Sequence, residues 1–244
     1  MRFTVPFDNG EQVEFECADN PVSRRVCEDI LRGKTYPYLS FLGSVDTVLD
    51  VGANCGATTV YFALHYPKAR VHAFEPGSIA RAIAERNTAN LENVRVHPIA
   101  LYSCDMRTPL YFAEGDLGMA SIHKREINAA GSELVDVRDA RSWAFENSID
   151  HIDVLKVDVE GVEVEVLLSL GDLLPAVKVI YVEYDSRRAR RVIAGLLEGT
   201  HEIFSASLLL DQGEIVYVRR DLADLPAATE DLRRMLGEAI RDSL

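Results

Sequence analysis

Three charged side chains at alternate positions, Lys156, Asp158 and Glu160, form the part of the sequence richest in chemistry. They continue an apolar run that begins at Ile152 and is typical of a buried strand. Alternate residues of a strand share a face at a spacing of about 6.6 Å, so the three side chains are expected to point the same way. A lysine inside a central strand needs a charged partner, because burial of an isolated charge is unfavourable. A purely structural ion-pair cluster is the alternative interpretation.

A second stretch, residues 48–59, reads as a buried strand, a glycine turn at Gly52 and then a helix. This order is typical of nucleotide-binding α/β sheets. A dinucleotide fingerprint would have glycine where this chain has Asn54 and Ala57, and the phosphate-loop motif G-x-x-x-x-G-K-[ST] does not occur. Asp50 disfavours a phosphate at the turn but suits a cationic ligand, of which S-adenosylmethionine (SAM) is one. A tight turn without a ligand is the alternative.

Glu75 ends the next buried strand, 19 residues after Gly56. A carboxylate at this place usually accepts hydrogen bonds from the two hydroxyls of an adenosine ribose. The alternative is an acid that caps the next helix, which Pro76 and Gly77 open. Ala100, at the end of the third strand, is expected near the adenine by position alone.

The elements that must position these residues alternate between strand and helix. The chain is predicted to open with a hairpin over 3–15 that turns at Asp8-Asn9-Gly10, followed by a helix from Pro21 to Gly33 that Asn20 caps. The core is predicted to have strands at 48–51, 71–75, 94–100, 152–160 and 177–184, and helices at 78–90, after Gly161 and at 187–198. An antiparallel hairpin of 201–210 with 214–218 and a helix at 229–240 complete the prediction. Residues 101–150 read as irregular strands that replace a helix. A sheet of order 3-2-1-4-5 places the strand of Asp50 beside that of Lys156.

We expect one domain over 1–244, with an N-terminal extension or lid at 1–40, an α/β core at 45–220 that carries an insertion at 101–150, and a C-terminal helix at 228–244 that packs on the body or on a second copy in a homodimer.

Composition excludes several classes of protein. The net charge of −13 argues against a surface built for nucleic acid. The four cysteines are scattered without a C-x-x-C pair, so neither a zinc site nor a disulfide framework is expected. The sequence contains no run of signal-peptide type and no apolar stretch of membrane-spanning length, so we expect a cytoplasmic protein without membrane contact.

Three motifs at their spacing resemble the FkbM family of SAM-dependent methyltransferases. The motifs are Asp50-Val51-Gly52-Ala53-Asn54-Cys55-Gly56, Phe74-Glu75-Pro76 and Leu155-Lys156-Val157-Asp158-Val159-Glu160-Gly161-Val162-Glu163. The likeness covers about residues 36–185. It implies a doubly wound, Rossmann-like class I methyltransferase sheet, mostly parallel with the last strand antiparallel. It also implies transfer of the SAM methyl group, which leaves S-adenosylhomocysteine, most often to a hydroxyl of a sugar, polyketide or other natural product.

The resemblance and the residues together suggest roles for the site. The cofactor-binding candidates are Asp50, Gly52, Asn54, Gly56, Glu75, Pro76 and Ala100. Asp158 is the first candidate for the base that deprotonates the acceptor, followed by Glu160 and Glu183, while Lys156 orients the acceptor or tunes Asp158. Asp158 and Glu160 could hold a divalent metal, but no third ligand is evident, so no metal is expected.

Alternative functions remain at this stage. The first is a methyltransferase that methylates a nitrogen of a small molecule. The second is a nicotinamide-dependent oxidoreductase, against which Asn54 and Ala57 argue. The third is a non-catalytic module that binds SAM or a nucleotide.

Overall fold

The computed structural model describes residues 1–7, 10, 12–113, 116–124 and 130–242. The chain opens with strands β1 (Arg2–Pro6) and β2 (Gln12–Glu16), which pair antiparallel, and helix α1 (Pro21–Leu31). The Asn20 side chain accepts a hydrogen bond from the Ser23 N–H at 2.8 Å, which satisfies a free donor at the helix start. The predicted hairpin and capped helix are confirmed, while residues 8 and 9 of the predicted turn lie outside the described residues.

Strands and helices alternate through the first half of the core. They are β3 (Thr47–Val51), α2 (Ala57–His65), β4 (Arg70–Phe74), α3 (Ser78–Thr88) and β5 (Val94–His97). The three strands pair in parallel, with β4 in the middle. Every residue of β3 is buried, as expected for a parallel strand that is covered on both faces.

A second sheet occupies most of the predicted insertion. It contains β6 (Ile99–Tyr102), β7 (Met106–Ala113), β8 (Asp116–Ser121) and β9 (Gly131–Asp139) in the order β6-β9-β7-β8. The single predicted strand at 94–100 is therefore wrong: it divides at Pro98, which has no N–H to continue a ladder, and β6 pairs with β9 instead.

The prediction of irregular strands in this region is confirmed by β7, β8 and β9, but the prediction that they replace a helix is wrong. A helix is present after the second sheet, α4 (Ala140–Glu146). Its Trp143 packs edge-on against Phe74 and His97, with ring centroids 4.6 and 5.0 Å away. His97 also lies within hydrogen-bonding distance of His72, at 3.0 Å between Nε2 and Nδ1. The helix is short, with seven residues, which explains why its sequence pattern is weak.

The second half of the core completes the main sheet. Its elements are β10 (Val154–Val157), α5 (Glu163–Leu170), a 3-10 helix (Gly171–Ala176), β11 (Val179–Tyr184), α6 (Arg187–Leu197), β12 (His201–Leu208), β13 (Gly213–Arg219), α7 (Arg220–Ala223) and α8 (Pro226–Asp242). The strand order is β12-β13-β11-β10-β3-β4-β5. Only β13 runs against its neighbours β11 and β12 among these strands. The predicted doubly wound, mostly parallel sheet with an antiparallel last strand is confirmed.

The chain order reverses between β3 and β10, which lie side by side. In doubly wound sheets, ligands bind outside the carboxyl ends of the strands at such a switch point. Both predicted chemical stretches end at this edge.

The C-terminal helix packs on the body of the protein. Asp231 of α8 accepts hydrogen bonds from the Ser40 N–H at 2.6 Å and from the Ser40 hydroxyl at 3.2 Å. Ser40 begins a 3-10 helix (Ser40–Leu42) in the segment that joins α1 to β3. Among the described helices, none combines the length and the apolar composition that crossing a membrane requires.

Candidate active site

Two glycines determine the shape of the turn between β3 and α2. Gly52 has a φ of +84°, and a Cβ at this position would collide with the backbone oxygen of Asp158. Gly56 has a φ of +86° and lies against Ala84 of α3. Both positions therefore require glycine for conformation and for close approach of other parts of the chain. Asn54 between them also adopts a positive φ, which turns its N–H toward the end of β4.

Glu75 is held at the end of β4 by that turn. Its side chain is only 7% exposed, and its two oxygens accept hydrogen bonds at 2.8 Å from the N–H groups of Asn54 and Gly77. Gly77 directly precedes α3, but the N–H of Ser78, the first residue of that helix, donates to Glu133, and Glu75 does not cap the helix. Burial raises the pKa of Glu75 to about 7, although the two N–H donors and the Lys156 charge oppose this.

A first cleft of about 640 Å³ opens over Glu75. Its lining combines Gly52, Asn54 and Glu75 with apolar residues, many of which come from the second sheet, among them Ala100, Leu101, Leu110, Ala120 and Ile122. The predicted residues Pro76, Ala100, Asp158 and Glu160 also line it. The Ser121 hydroxyl donates to the Glu160 backbone oxygen at 2.7 Å, which ties the second sheet to the loop after β10.

Lys156 lies beneath the switch point and is 2% exposed. Its ammonium donates to the Gly52 oxygen at 2.6 Å and forms ion pairs with Asp50 at 3.3 Å and Asp158 at 3.5 Å. Burial alone would lower the pKa of Lys156, but the two carboxylates outweigh it and raise the pKa above its usual value. The lysine is therefore a fixed cation.

Asp50 is not brought to the surface of a cleft. It is completely buried, opposite Lys156 across β3 and β10, and accepts a hydrogen bond from the Thr59 hydroxyl at 2.6 Å. The sequence predicted that Asp50 would contact the ammonium group of a ligand. In the structure, the cation beside Asp50 is Lys156.

A second cleft, of about 1070 Å³, meets the first at the carboxyl ends of β3 and β10. The two share Gly52, Asn54, Asp158 and Glu160. Helix α1 forms one wall of the second cleft through Val22 and Val26. All four predicted catalytic residues, Lys156, Asp158, Glu160 and Glu183, line it, together with Glu214.

The carboxyl groups in the second cleft influence one another. Glu183 on β11 lies directly opposite Glu214 on β13. The negative charge of Asp158, followed by burial, raises the pKa of Glu183 far above its usual value. Burial and the same charge raise the pKa of Glu214 to about 7. Near neutral pH, Glu183 therefore keeps its proton.

Sequence reasoning missed two residues of this site, Glu214 and Tyr36. The Tyr36 hydroxyl donates to Asp158 at 3.1 Å. Glu214 could have been found from the antiparallel hairpin had the register opposite Glu183 been known. Nothing local in the sequence distinguishes Tyr36 from a core tyrosine.

A separate group of side chains lies at the opposite, amino end of β3 and β10. Asp46, His151 and Asp153 come close enough together there to contact one ion. Asp153 already accepts two backbone hydrogen bonds and pairs with Lys178 at 2.9 Å, so its carboxylate is occupied within the protein.

Comparison with known proteins gives a family. The family model described as the methyltransferase FkbM domain matches residues 50–213. The 2-O-methyltransferase NoeI of Sinorhizobium fredii is 26% identical over 154 residues, which are 57% of this chain and 63% of that protein. Methyltransferase sdnD of Sordaria araneosa is 26% identical over 156 residues, which are 51% of this chain and 60% of that protein. The chain thus spans about three fifths of the length of these two relatives.

Among solved structures, the fibrillarin pre-rRNA processing protein of Methanococcus jannaschii is similar with a TM-score of 0.49 and 12% identity, over 89% of this chain and 82% of that chain. A likeness at this level says nothing about ligand or reaction. The family match covers more than half of the chain, begins at Asp50 near the end of β3, and includes Glu75, Asp158 and Glu183. This chain belongs to the FkbM family of methyltransferases.

Proposed function

We propose that this protein is a SAM-dependent methyltransferase that methylates a hydroxyl of a small molecule such as a sugar or a polyketide. The observation that carries the proposal is Glu75, a buried carboxyl group in a cleft that is otherwise lined mostly by apolar residues. A nucleoside would match this lining, since it has a ribose diol at one end and a flat, largely apolar base at the other.

The residues of the first cleft fit such a cofactor. Glu75 would accept hydrogen bonds from the ribose hydroxyls, each of which stabilises a bound ligand by about 1.5–3 kcal/mol when the acceptor is charged. Leu101, Leu110 and Ile122 would contact the adenine. The remainder of the ligand would extend over Gly52 and Asn54 toward the second cleft, since both clefts share these residues.

SAM supplies a methyl group that is activated by its positively charged sulfur. An acceptor hydroxyl in the second cleft must lose its proton as the new bond forms, and Asp158, which lines this cleft, would take it. The Lys156 ammonium forms an ion pair with Asp158 at 3.5 Å. Glu183 is the weaker candidate for the base, because its raised pKa leaves it protonated near neutral pH. Alignment of the acceptor between α1 and β10 would supply much of the remaining rate enhancement.

Two measurements test the proposal. The first is calorimetric titration with S-adenosylhomocysteine for the unaltered protein and for Glu75→Ala; we expect micromolar binding that the substitution abolishes. The second is transfer of labelled methyl from SAM to a panel of methyl glycosides and hydroxylated polyketides, read by mass spectrometry. Asp158→Asn should abolish methyl transfer and leave the affinity for S-adenosylhomocysteine within a few-fold of that of the unaltered protein. Failure of the unaltered protein to bind S-adenosylhomocysteine would disprove the proposed function.

N-methylation is the second candidate, and one observation favours it. The second cleft carries four carboxyl groups against one lysine, an environment that attracts an ammonium group. The panel should therefore contain amines matched to each alcohol in shape. Transfer to an amine but not to its alcohol would decide for N-methylation, and product binding without transfer to any acceptor would favour a non-catalytic module.

A further inference from the structure

The N-terminal extension contributes a side chain to the candidate base. The Tyr36 hydroxyl donates to Asp158 Oδ2 at 3.1 Å, and the tyrosine is 3% exposed. The Lys156 ammonium approaches the same oxygen at 3.5 Å and lies 5.7 Å from the centre of the Tyr36 ring. One carboxylate oxygen thus meets a phenol and an ammonium together, with the ammonium also over the ring face, which is a favourable arrangement.

Tyr36 is fixed in this position by its neighbours in the chain. Its ring packs edge-on against Tyr181 of β11, with centroids 5.9 Å apart. The Tyr181 hydroxyl donates to the Pro37 oxygen at 2.6 Å, and the Tyr61 hydroxyl accepts from the Tyr38 N–H at 2.8 Å. Three consecutive residues are therefore anchored to the main sheet and to α2, so the phenol does not depend on a mobile segment.

Asp158 uses its two oxygens differently as a result. Oδ2 holds both donors, whereas Oδ1 accepts no hydrogen bond from any described residue. The Asp158 side chain is 25% exposed and lines the second cleft. We propose that Tyr36 is a positioning residue, which together with Lys156 fixes Oδ2 so that Oδ1 is presented to the acceptor hydroxyl; this rests on the proposed function.

The phenol is suited to act only as a donor. Burial, followed by the negative charge of Asp158, raises the pKa of Tyr36 well above its usual value. It therefore keeps its proton through the working range of an enzyme and does not compete with Asp158 for the acceptor's proton.

The test compares the unaltered protein with Tyr36→Phe and with Tyr38→Phe, the matched control in the same segment. NMR of aspartate labelled at the carboxyl carbon follows protonation of Asp158, whose resonance Asp158→Asn identifies. Loss of an O–H donor to the ionised form should move this titration upward by about one pH unit in Tyr36→Phe and leave it unmoved in Tyr38→Phe. The other charged groups that face Asp158 are unchanged in both variants; they are Lys156, Glu160, Glu183 and Glu214.

Turnover gives the second readout. On the best acceptor of the panel, Tyr36→Phe should lower kcat about tenfold while KM and the affinity for S-adenosylhomocysteine stay within about two-fold. An unmoved titration in Tyr36→Phe, or the same shift in both variants, would overturn the inference. Failure of the unaltered protein to bind S-adenosylhomocysteine would instead remove the proposed function, while the titration would still decide whether Tyr36 controls Asp158.

Discussion

Binding of the cofactor product should depend on pH through Glu75. Burial raises the pKa of this carboxyl group to about 7, so about half of the free protein carries a proton there at neutral pH. Both oxygens already accept a backbone N–H, and the ribose hydroxyls can donate only to an ionised group with lone pairs to spare. A ligand that binds through its ribose should therefore select the ionised form.

The size of the effect follows from the pKa. The ionised fraction of Glu75 is about 0.9 at pH 8 and about 0.1 at pH 6 for a pKa of about 7. Apparent affinity falls in proportion to the competent fraction, so the Kd of S-adenosylhomocysteine should rise about tenfold from pH 8 to pH 6.

The free energy of unfolding should also depend on pH through Glu75. Glu75 has a higher pKa in the folded protein than its usual 4.5, so the folded state binds this proton more tightly than the unfolded chain. This group alone therefore makes the folded protein less stable as the pH rises from 4.5 through 7. A ligand that prefers the ionised form offsets the loss, and the thermal shift at a fixed ligand concentration should be larger at pH 8 than at pH 6.

Calorimetry at pH 6, 7 and 8 measures the effect, with Glu75→Gln and Glu214→Gln as a matched pair. An amide at position 75 would turn its NH₂ toward the N–H of Asn54 or Gly77, so we expect a loss of about 3 kcal/mol, or about 100-fold, at pH 8 and little pH dependence. Glu214 also has a pKa of about 7 but lines only the second of these clefts, so Glu214→Gln should keep the dependence. A constant Kd from pH 6 to 8 in the unaltered protein would refute this reasoning.

Three further predictions concern stability, measured by urea denaturation. Gly52→Ala should destabilise the fold by about 2–4 kcal/mol and abolish product binding, because the new Cβ collides with the Asp158 oxygen at a positive φ; near-normal stability would contradict the contact. Lys156→Met should destabilise it by about 3–5 kcal/mol, since two carboxylates lose their buried cation, and a neutral effect would show that water reaches them. Burial lowers the pKa of His72 and His97 to about 4, so between pH 6.5 and pH 4 the unfolded chain binds protons that the folded protein does not. The urea midpoint should therefore fall as the pH drops from 6.5 through 4. Replacing both histidines by Phe should make the midpoint depend less on pH.

The sheet and its edge were predictable because their signals are local. A fully buried strand before Gly52, an acid at the end of the next strand and the acids after Lys156 each occupy one continuous stretch. Pairing of β3 with β10 then follows from the rules for doubly wound sheets, which is why most of the candidate residues come together.

Other features depend on contacts that no short window contains. The expected alternation of Lys156, Asp158 and Glu160 breaks down because β10 ends at Val157 and Glu160 adopts a φ of +57°. Strands were predicted in residues 101–150, but their pairing into a second sheet was not, because they pair across irregular spacings, with a register shift between Tyr111 and Ala113.

The anchoring of Ser40 has a consequence for how the protein is made. Ser40 follows Tyr36 closely in the chain, yet its N–H and hydroxyl bind Asp231, 191 residues further on, and Tyr36 itself reaches across 122 residues to Asp158. Contacts of such separation require large loops to close, so they form late. During synthesis, residues 36–38 can pack on Tyr61 and Tyr181 once β11 has emerged, but the hydrogen bonds to Ser40 cannot form until Asp231 has left the ribosome. Docking of α8 on the segment that follows Tyr36 should therefore be a late step, after the bulk of the fold has formed.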